Sequence, residues 1–228
     1  KFAKGQVIKP AAFNRLLARA KGGPHEAALN ELTLRTQSQA RYDPESLGHF
    51  GLNLARYAHF TSPIRRYADL VVHRGLIRAL GFGDDGLSDG EAARLDVTAE
   101  NISMTERRSM AAERDSVDRY LAAYMQDRIG AEFDGRITGV ARFGLFVKLE
   151  GLGADGLVPI SSLGTDFFQH MEKQHALMGK RTRKTYRLGD RVRVMVAEAA
   201  PLHGGLRLQL VDATRAVVRT PGPKHRGR

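Results

Sequence analysis

The spacing of apolar residues changes once along this chain, from a helical period before residue 130 to alternation after it. A helical period marks an α-helix with one buried face, whereas alternation marks a strand with one buried face. The first part predicts helices over Pro10–Ala20, over His25–Arg35, from an N-cap at Ser62 with Pro63 in the first turn to Leu80, and from a Ser88–Glu91 capping box to about Ile129. The last of these would span roughly 60 Å, so a break is expected in it. Tyr42–Leu54 holds one proline and two glycines and predicts an irregular loop.

Short strands separated by glycine turns fill about eighty residues of the second part. They are expected within Phe133–Leu149, Gly156–Leu163, Arg191–Ala199 and Gly205–Val211. Thr165–Thr185 is expected to be an insertion with a basic end. The pattern therefore predicts an α+β protein in which a helix-rich part precedes a small closed β-barrel.

The net charge of the chain indicates what kind of partner it binds. The 228 residues carry a formal net charge of +11 and no cysteine. A folded chain with this charge favours a polyanionic partner over a membrane surface, because its arginines are dispersed rather than gathered on one amphipathic helix. The alternative is a basic protein whose charge serves solubility alone. Lack of cysteine excludes disulfides and thiolate metal sites and suits a cytoplasmic location, and no apolar run reaches membrane-spanning length.

Two arginines stand where the third helix is predicted to begin. Arg65 and Arg66 would lie in its first turn, where the helix dipole disfavours positive charge. An arriving phosphate would explain them, because free backbone N–H groups and guanidinium groups together hold anions. The alternative is that they are solvated or paired with Asp69.

Residues for metal chemistry are sparse. Metal-assisted hydrolysis of a phosphodiester needs clustered carboxylates. The acidic turn from Asp84 to Glu91 fits no calcium pattern, and His170 and His175 fit no zinc pattern. We therefore predict no metal ligand in this chain.

The segment His59–Arg74, with the sequence HFTSPIRRYADLVVHR, resembles the signature near the end of the catalytic (RNB) domain of the ribonuclease II and ribonuclease R exoribonucleases. The resemblance continues through Lys4–Asn14 and Glu31–Leu52 and is closer to ribonuclease R. It implies that Arg65 is catalytic and touches the phosphate being cleaved. It also implies that Thr61, Ser62 and Arg66 shape the RNA-binding pocket around it.

The second part resembles the RNA-binding OB domain of the S-one type through Gly135–Leu149, Gly153–Leu163 and Tyr186–Val196. This resemblance implies a five-stranded antiparallel OB-fold barrel. We accordingly expect residues 1–130 to be the C-terminal portion of an RNB domain, residues 131–212 the OB domain, and residues 213–228 a basic disordered tail.

Two phenylalanines are candidates for stacking on RNA bases. Phe143 and Phe146 flank a bend at Gly144, so one or both rings could face solvent, and the alternative is that they are core residues. The family resemblance implies that both belong to the RNA face. Cations that could line the phosphate path are Arg136, Arg142, Lys148 and Arg193. Pro159 departs from the family pattern, which has histidine there.

The resemblance implies a processive, hydrolytic 3′-to-5′ exoribonuclease that degrades single-stranded RNA to nucleoside 5′-monophosphates with Mg²⁺. The family's metal-binding aspartates do not occur in this sequence, so we expect a fragment, inactive alone, whose Mg²⁺ is bound mainly by residues absent from it. Its expected partners are the 3′ end of single-stranded RNA and the missing N-terminal part of the enzyme, with no membrane. The alternative is a non-catalytic RNA-binding module or adaptor.

Overall fold

The computed structural model describes residues 10–23 and 26–211. The helices are α1 (Pro10–Ala20), α2 (Glu26–Thr36), α3 (Tyr67–Leu80), α4 (Asp89–Ala92) and α5 (Leu95–Gln126). The strands are β1 (Glu132–Ala141), β2 (Gly144–Leu149), β3 (Asp155–Pro159), β4 (Phe168–Met171), β5 (Ala176–Gly179), β6 (Thr185–Arg187), β7 (Arg191–Ala200) and β8 (Gly205–Leu210). The chain divides into two compact units, residues 1–115 and 116–228, and the predicted domain limits stay predictions.

The first unit confirms most of the predicted helices. α1 has the predicted limits, and α2 lies within one residue of its prediction. Tyr42–Leu54 is irregular apart from one bridge between His49 and Leu54. The capping box of Ser88 and Glu91 is present, and the expected break separates α4 from α5.

The start of the third helix was predicted wrongly. Ser62 is not its N-cap, because Arg66 is the N-cap residue and the helix begins at Tyr67. Residues 62–66 instead form a separate turn in which the Arg66 amide donates to the Ser62 carbonyl oxygen at 3.0 Å. Ile64, whose spacing from Tyr67, Ala68 and Val71 predicts a place on the buried face of this helix, lies outside the helix and is 96% exposed. The helix ends as predicted, at Gly81, which adopts the left-handed conformation (φ 64°).

The second unit contains the predicted closed barrel, with strand order β1-β2-β3-β8-β7. Its neighbouring strands are antiparallel except for β3 and β8, which pair in parallel at Leu157 and Arg207. Alternate residues of each strand point inward, and the fully buried ones are aliphatic, including Ile137, Leu145, Val147, Val158, Val194, Val196 and Leu208. Ala122 and Met125, from the last turns of α5, complete this core and are fully buried. α5 therefore supplies part of the barrel's interior.

The insertion between β3 and β7 is a three-stranded sheet in the order β4-β5-β6, which the sequence did not predict. Its strands have three or four residues, too few to show alternation. Phe168, Leu177 and Tyr186 join the barrel core, so the sheet belongs to the same unit. The predicted basic tail lies outside the described residues. No helix among the described residues is long and apolar enough to cross a membrane.

Candidate functional site

A buried carboxylate organises the turn that precedes α3. Asp69 lies in the first turn of α3 with its side chain fully buried. Its Oδ2 accepts a hydrogen bond from the Ser62 backbone N–H at 2.7 Å. Arg66 donates to the same carboxylate through Nε at 2.8 Å and through Nη2 at 2.9 Å. The acid sits where the helix dipole favours negative charge, so the first turn carries Asp69 rather than the two arginines.

The two arginines differ: Arg66 is paired with Asp69, as one alternative proposed, whereas Arg65 is open to an arriving anion, as the other proposed. Arg66 is paired in the forked, two-bond geometry that guanidinium and carboxylate groups favour. Arg65 is exposed, and within residues 10–23 and 26–211 its side chain has no hydrogen bond or ion pair. Arg65 is therefore the guanidinium available to an incoming anion, with Thr61 exposed in the same turn.

The pairing fixes the charge of both partners. Burial by itself would raise the pKa of the Asp69 carboxyl, but hydrogen bonds from Arg66 and Ser62 outweigh it and the pKa is lowered. The hydrogen bond to Asp69 raises the pKa of Arg66. The pair thus stays ionised, and its net charge of zero leaves Arg65 as the local positive charge.

A tyrosine and a histidine hold the loop that leads into this turn. The Tyr42 hydroxyl lies 2.9 Å from His59 Nδ1, and the Tyr42 backbone N–H donates to Ser103 Oγ at 2.9 Å. Burial, reinforced by the nearby Glu106 carboxylate, raises the pKa of Tyr42 to about 12, so the phenol stays protonated. Tyr57 stacks edge-on against His59, with 5.6 Å between ring centroids. The sequence analysis missed Tyr42 and His59, because their partners come from distant positions, whereas the pairing with Asp69 was one of its two alternatives and holds for Arg66.

The acidic turn before α4 is occupied by ion pairs. Glu91 accepts from Arg74 at 2.6 Å and caps the helix through Ser88. Hydrogen bonding from Arg74, and then from Ser88, lowers the pKa of Glu91 to about 2. In the described part of the chain, no three histidine or acidic side chains are grouped so that they could hold a metal ion. These residues therefore do not fit a Mg²⁺ site.

Both candidate aromatic rings lie on the outside of the barrel. Phe143 is 58% exposed and Phe146 is 40% exposed, and their rings meet edge to face with centroids 5.9 Å apart. Phe146 lies opposite Gly139 of β1, where an added Cβ would be 2.9 Å from its ring. The missing side chain at Gly139 thus gives the ring room to lie across the sheet. Neither phenylalanine is a core residue.

The four predicted cations of the barrel differ in availability. Arg142 and Lys148 are exposed, and neither side chain has a hydrogen bond or ion pair with another described residue. Arg193 pairs with Glu132 at 2.9 Å and with Asp134 at 3.4 Å. Arg136 donates to the Gly189 carbonyl oxygen at 2.7 Å. The cations that remain open are therefore those nearest in sequence to the two phenylalanines.

Pro159 lies beside the bend between the two rings. It pairs in register with Gly144, where an added Cβ would be 3.1 Å from the Pro159 Cα and 2.3 Å from the Val158 carbonyl oxygen. Only glycine permits this close approach of the strands. Pro159 has no N–H, and the next residue, Ile160, donates its own to the Phe143 carbonyl oxygen at 2.8 Å.

Comparison with known protein families finds one match in each half of the chain. Residues 1–81 match the RNB domain model, and residues 126–208 match the model of the S1 RNA binding domain. The chain therefore matches the RNB domain first and the S1 RNA binding domain second.

Two known proteins are similar to this chain over most of its length. Ribonuclease R of Aquifex aeolicus is 45% identical over 203 residues, which are 89% of this chain and 29% of that protein. Ribonuclease R of Escherichia coli is 39% identical over 223 residues, 93% of this chain and 27% of that protein. This chain thus spans less than a third of the length of these relatives.

Solved structures show the same fold. The apo form of Mycoplasma genitalium RNase R matches with a TM-score of 0.83 and 31% identity, over 92% of this chain and 33% of that one. The same protein in complex with ribose-methylated single-stranded RNA matches with the same TM-score and identity. The mixed α+β class with an S1-type barrel is thereby confirmed.

Proposed function

We propose that this chain, whose homologues are ribonuclease R and which contains RNB and S1 domains, is the C-terminal portion of a hydrolytic, processive 3′-to-5′ exoribonuclease. Its substrate is single-stranded RNA, and its products are nucleoside 5′-monophosphates. The solved complexes of a homologue with single-stranded and with double-stranded RNA support RNA as the partner. The enzyme acts in the cytoplasm.

The observation that carries the proposal is that, in the part of the chain that the structure describes, Arg66 is paired with an acid and Arg65 is not. Arg66 is held by the buried Asp69, whereas Arg65 projects from the same turn without a partner among the described residues. Arg65 touches the phosphate being cleaved and stabilises the charge that develops on it. Arg66 shapes the pocket, together with Thr61 and Ser62, by fixing the turn through Asp69.

The barrel supplies the path along which the strand approaches. Phe143 and Phe146 offer exposed rings on which successive bases stack without regard to their identity. Arg142 and Lys148 bind the accompanying phosphates, while Arg193 contributes less because two acids already hold it. A sequence-tolerant grip of this kind suits an enzyme that advances along RNA.

Mg²⁺ is the cofactor that supplies the attacking water in such hydrolysis. The described residues do not form a site for it, so we assign its ligands mainly to the rest of the enzyme.

The test uses the full-length protein with 5′-labelled single-stranded RNA and Mg²⁺. We expect stepwise shortening from the 3′ end. Arg65→Ala should lower kcat roughly a hundred- to a thousandfold, the cost of losing one donor to a developing anion, with the Kd for RNA changed less than about twofold.

Arg56→Ala is the matched control, since Arg56 is an exposed arginine of the preceding loop, and it should leave kcat unchanged. Equal losses of kcat and affinity in Arg65→Ala would mean that Arg65 only binds. Tight RNA binding without any hydrolysis by the unaltered full-length protein would instead favour the non-catalytic module.

A further inference from the structure

Another exposed aromatic ring lies beside positive charge at the start of the inserted sheet. Phe167, just before β4, is 67% exposed, and Lys180 Nζ lies 4.8 Å from its ring centroid. Phe168, the next residue, is buried in the barrel core. The backbone at this point is thus anchored by one phenylalanine while the other is presented to solvent.

A single carboxylate fastens the basic turn between β5 and β6 to this ring. Asp166 accepts hydrogen bonds from the backbone N–H groups of Phe167 (2.7 Å), Arg181 (3.2 Å) and Thr182 (2.7 Å), and from the Thr182 hydroxyl (2.6 Å). These bonds, the Thr182 hydroxyl first, lower the pKa of Asp166 to about 2. Gly179 makes room for them, because an added Cβ there would be 2.4 Å from Asp166 Oδ2. The turn therefore has a fixed position next to Phe167.

The turn presents four cations in five residues, Lys180 to Lys184. Arg183 adopts a left-handed conformation (φ 58°), which glycine and asparagine adopt more readily. The Arg183 N–H donates to the Gly179 carbonyl oxygen at 3.1 Å, which holds this conformation. Strained non-glycine residues of this kind gather at functional sites, and here the strain keeps an arginine in the turn.

An open cleft of about 350 Å³ lies between Arg142 and the start of the inserted sheet. It is lined by Arg142, Phe167, Phe168, Gln169, His170 and Glu172. Arg142 directly precedes Phe143, so the cleft begins where the predicted base-stacking surface ends. Glu172 is the acid of this lining, outnumbered by Arg142 and by the neighbouring basic turn.

We propose that Phe167, Lys180 and Arg142 form a second nucleotide subsite for single-stranded RNA, in which a base stacks on Phe167 while Lys180 and Arg142 hold the adjoining phosphates. The subsite rests on the proposed function, because it extends the path over Phe143 and Phe146. An exposed ring with a lysine over one face and an arginine in the same cleft matches how proteins bind single strands without base preference. We call these three residues the hairpin subsite.

The experiment measures the Kd of the full-length protein for oligouridylates of increasing length at several salt concentrations, without Mg²⁺. Phe167→Ala should weaken binding of long oligomers about tenfold, the loss expected for one stacked base, and leave the shortest oligomers unaffected. Lys180→Ala should lower the slope of log Kd against log salt by roughly 0.7, the value for one lost phosphate contact.

Matched controls separate the subsite from general charge and hydrophobicity. Phe82→Ala removes another exposed phenylalanine, and Lys173→Ala removes another exposed lysine of the insertion, and neither should change the Kd. A 5-iodouridine oligomer should crosslink to the peptide that contains Phe167. Gly179→Ala, which displaces Asp166, should weaken the binding of long oligomers as Phe167→Ala does.

The outcomes also distinguish the two proposals. Unchanged affinity in Phe167→Ala, with a loss in the double variant Phe143→Ala and Phe146→Ala, would overturn the hairpin subsite and leave the barrel path intact. Unchanged affinity in both would overturn the barrel path as well. A loss in Lys173→Ala equal to that in Lys180→Ala would reduce the subsite to unspecific charge.

Discussion

At the scale of single residues, two aspartates decide which cations are free. Asp69 neutralises Arg66 and fixes the turn from which Arg65 projects. Asp166 gathers backbone and hydroxyl donors rather than cations, so it leaves the charges of Lys180, Arg181 and Arg183 in its turn unneutralised. In both places a carboxylate that accepts several hydrogen bonds fixes a loop conformation. That conformation determines which cations of the loop are left without an acidic partner among the described residues.

The titration of Asp166 tests this description. Its pKa of about 2 lies below the ordinary value of 3.8, so the hydrogen bonds contribute stability fully above about pH 4 and lose it as pH falls through 2. The ¹³C resonance of the Asp166 carboxyl should therefore titrate near pH 2. Thr182→Val, which removes the hydroxyl donor, should raise that midpoint. An Asp166 midpoint near 4 in the unaltered protein would contradict the network.

At the scale of secondary-structure elements, the sequence predicted those that repeat a pattern over many residues. The helices Pro10–Ala20 and Glu26–Thr36 and the long barrel strands were predictable because burial imposes their period. The start of α3 was not predictable, because a serine before a proline resembles an N-cap. The sequence does not show that the backbone N–H of Ser62 donates to the buried carboxylate of Asp69, the third residue of the helix.

The candidate site was predictable only in part, for the same reason. Arg65, Phe143 and Phe146 stand out locally, from neighbouring residues and from resemblance. The pairing of Arg193 with Glu132 crosses between strands β7 and β1, and Phe167 lies just before β4, a strand too short to recognise. Both depend on contacts that no short window of sequence contains.

The contribution of α5 to the barrel core can be measured by truncating one methionine. Met125 is fully buried, so Met125→Ala should lower the free energy of unfolding of the barrel by about 2–5 kcal/mol. Met110→Ala makes the same change at an exposed position of the same helix and should cost less than about 0.5 kcal/mol. Hydrogen exchange of barrel amides in the two variants measures both, and equal effects would contradict the packing.

At the scale of the whole molecule, the proposed RNA contacts are distributed over two compact units with different chemistry. The first unit offers one free guanidinium at a helix start, and the second offers exposed rings and cations on a closed barrel. Catalysis and grip should therefore be separable by mutation.

The double variant Phe143→Ala and Phe146→Ala tests the separation in the full-length enzyme. We expect the Kd for single-stranded RNA to rise about tenfold or more, because each stacked base contributes about 1–3 kcal/mol. The kcat at saturating RNA should change less than about twofold, in contrast to Arg65→Ala. Phe82→Ala serves as the control, and unchanged binding in the double variant would show that the rings have no part in the grip.

The burial of Ala122 and Met125 in the barrel has a consequence for how this protein can be divided and recombined. A barrel excised at residue 131 would keep all five strands but lose two side chains from its floor, leaving a hole where the helix had been. A barrel that is transferred to another protein, by gene fusion in evolution or by cloning, must therefore include the final turns of α5.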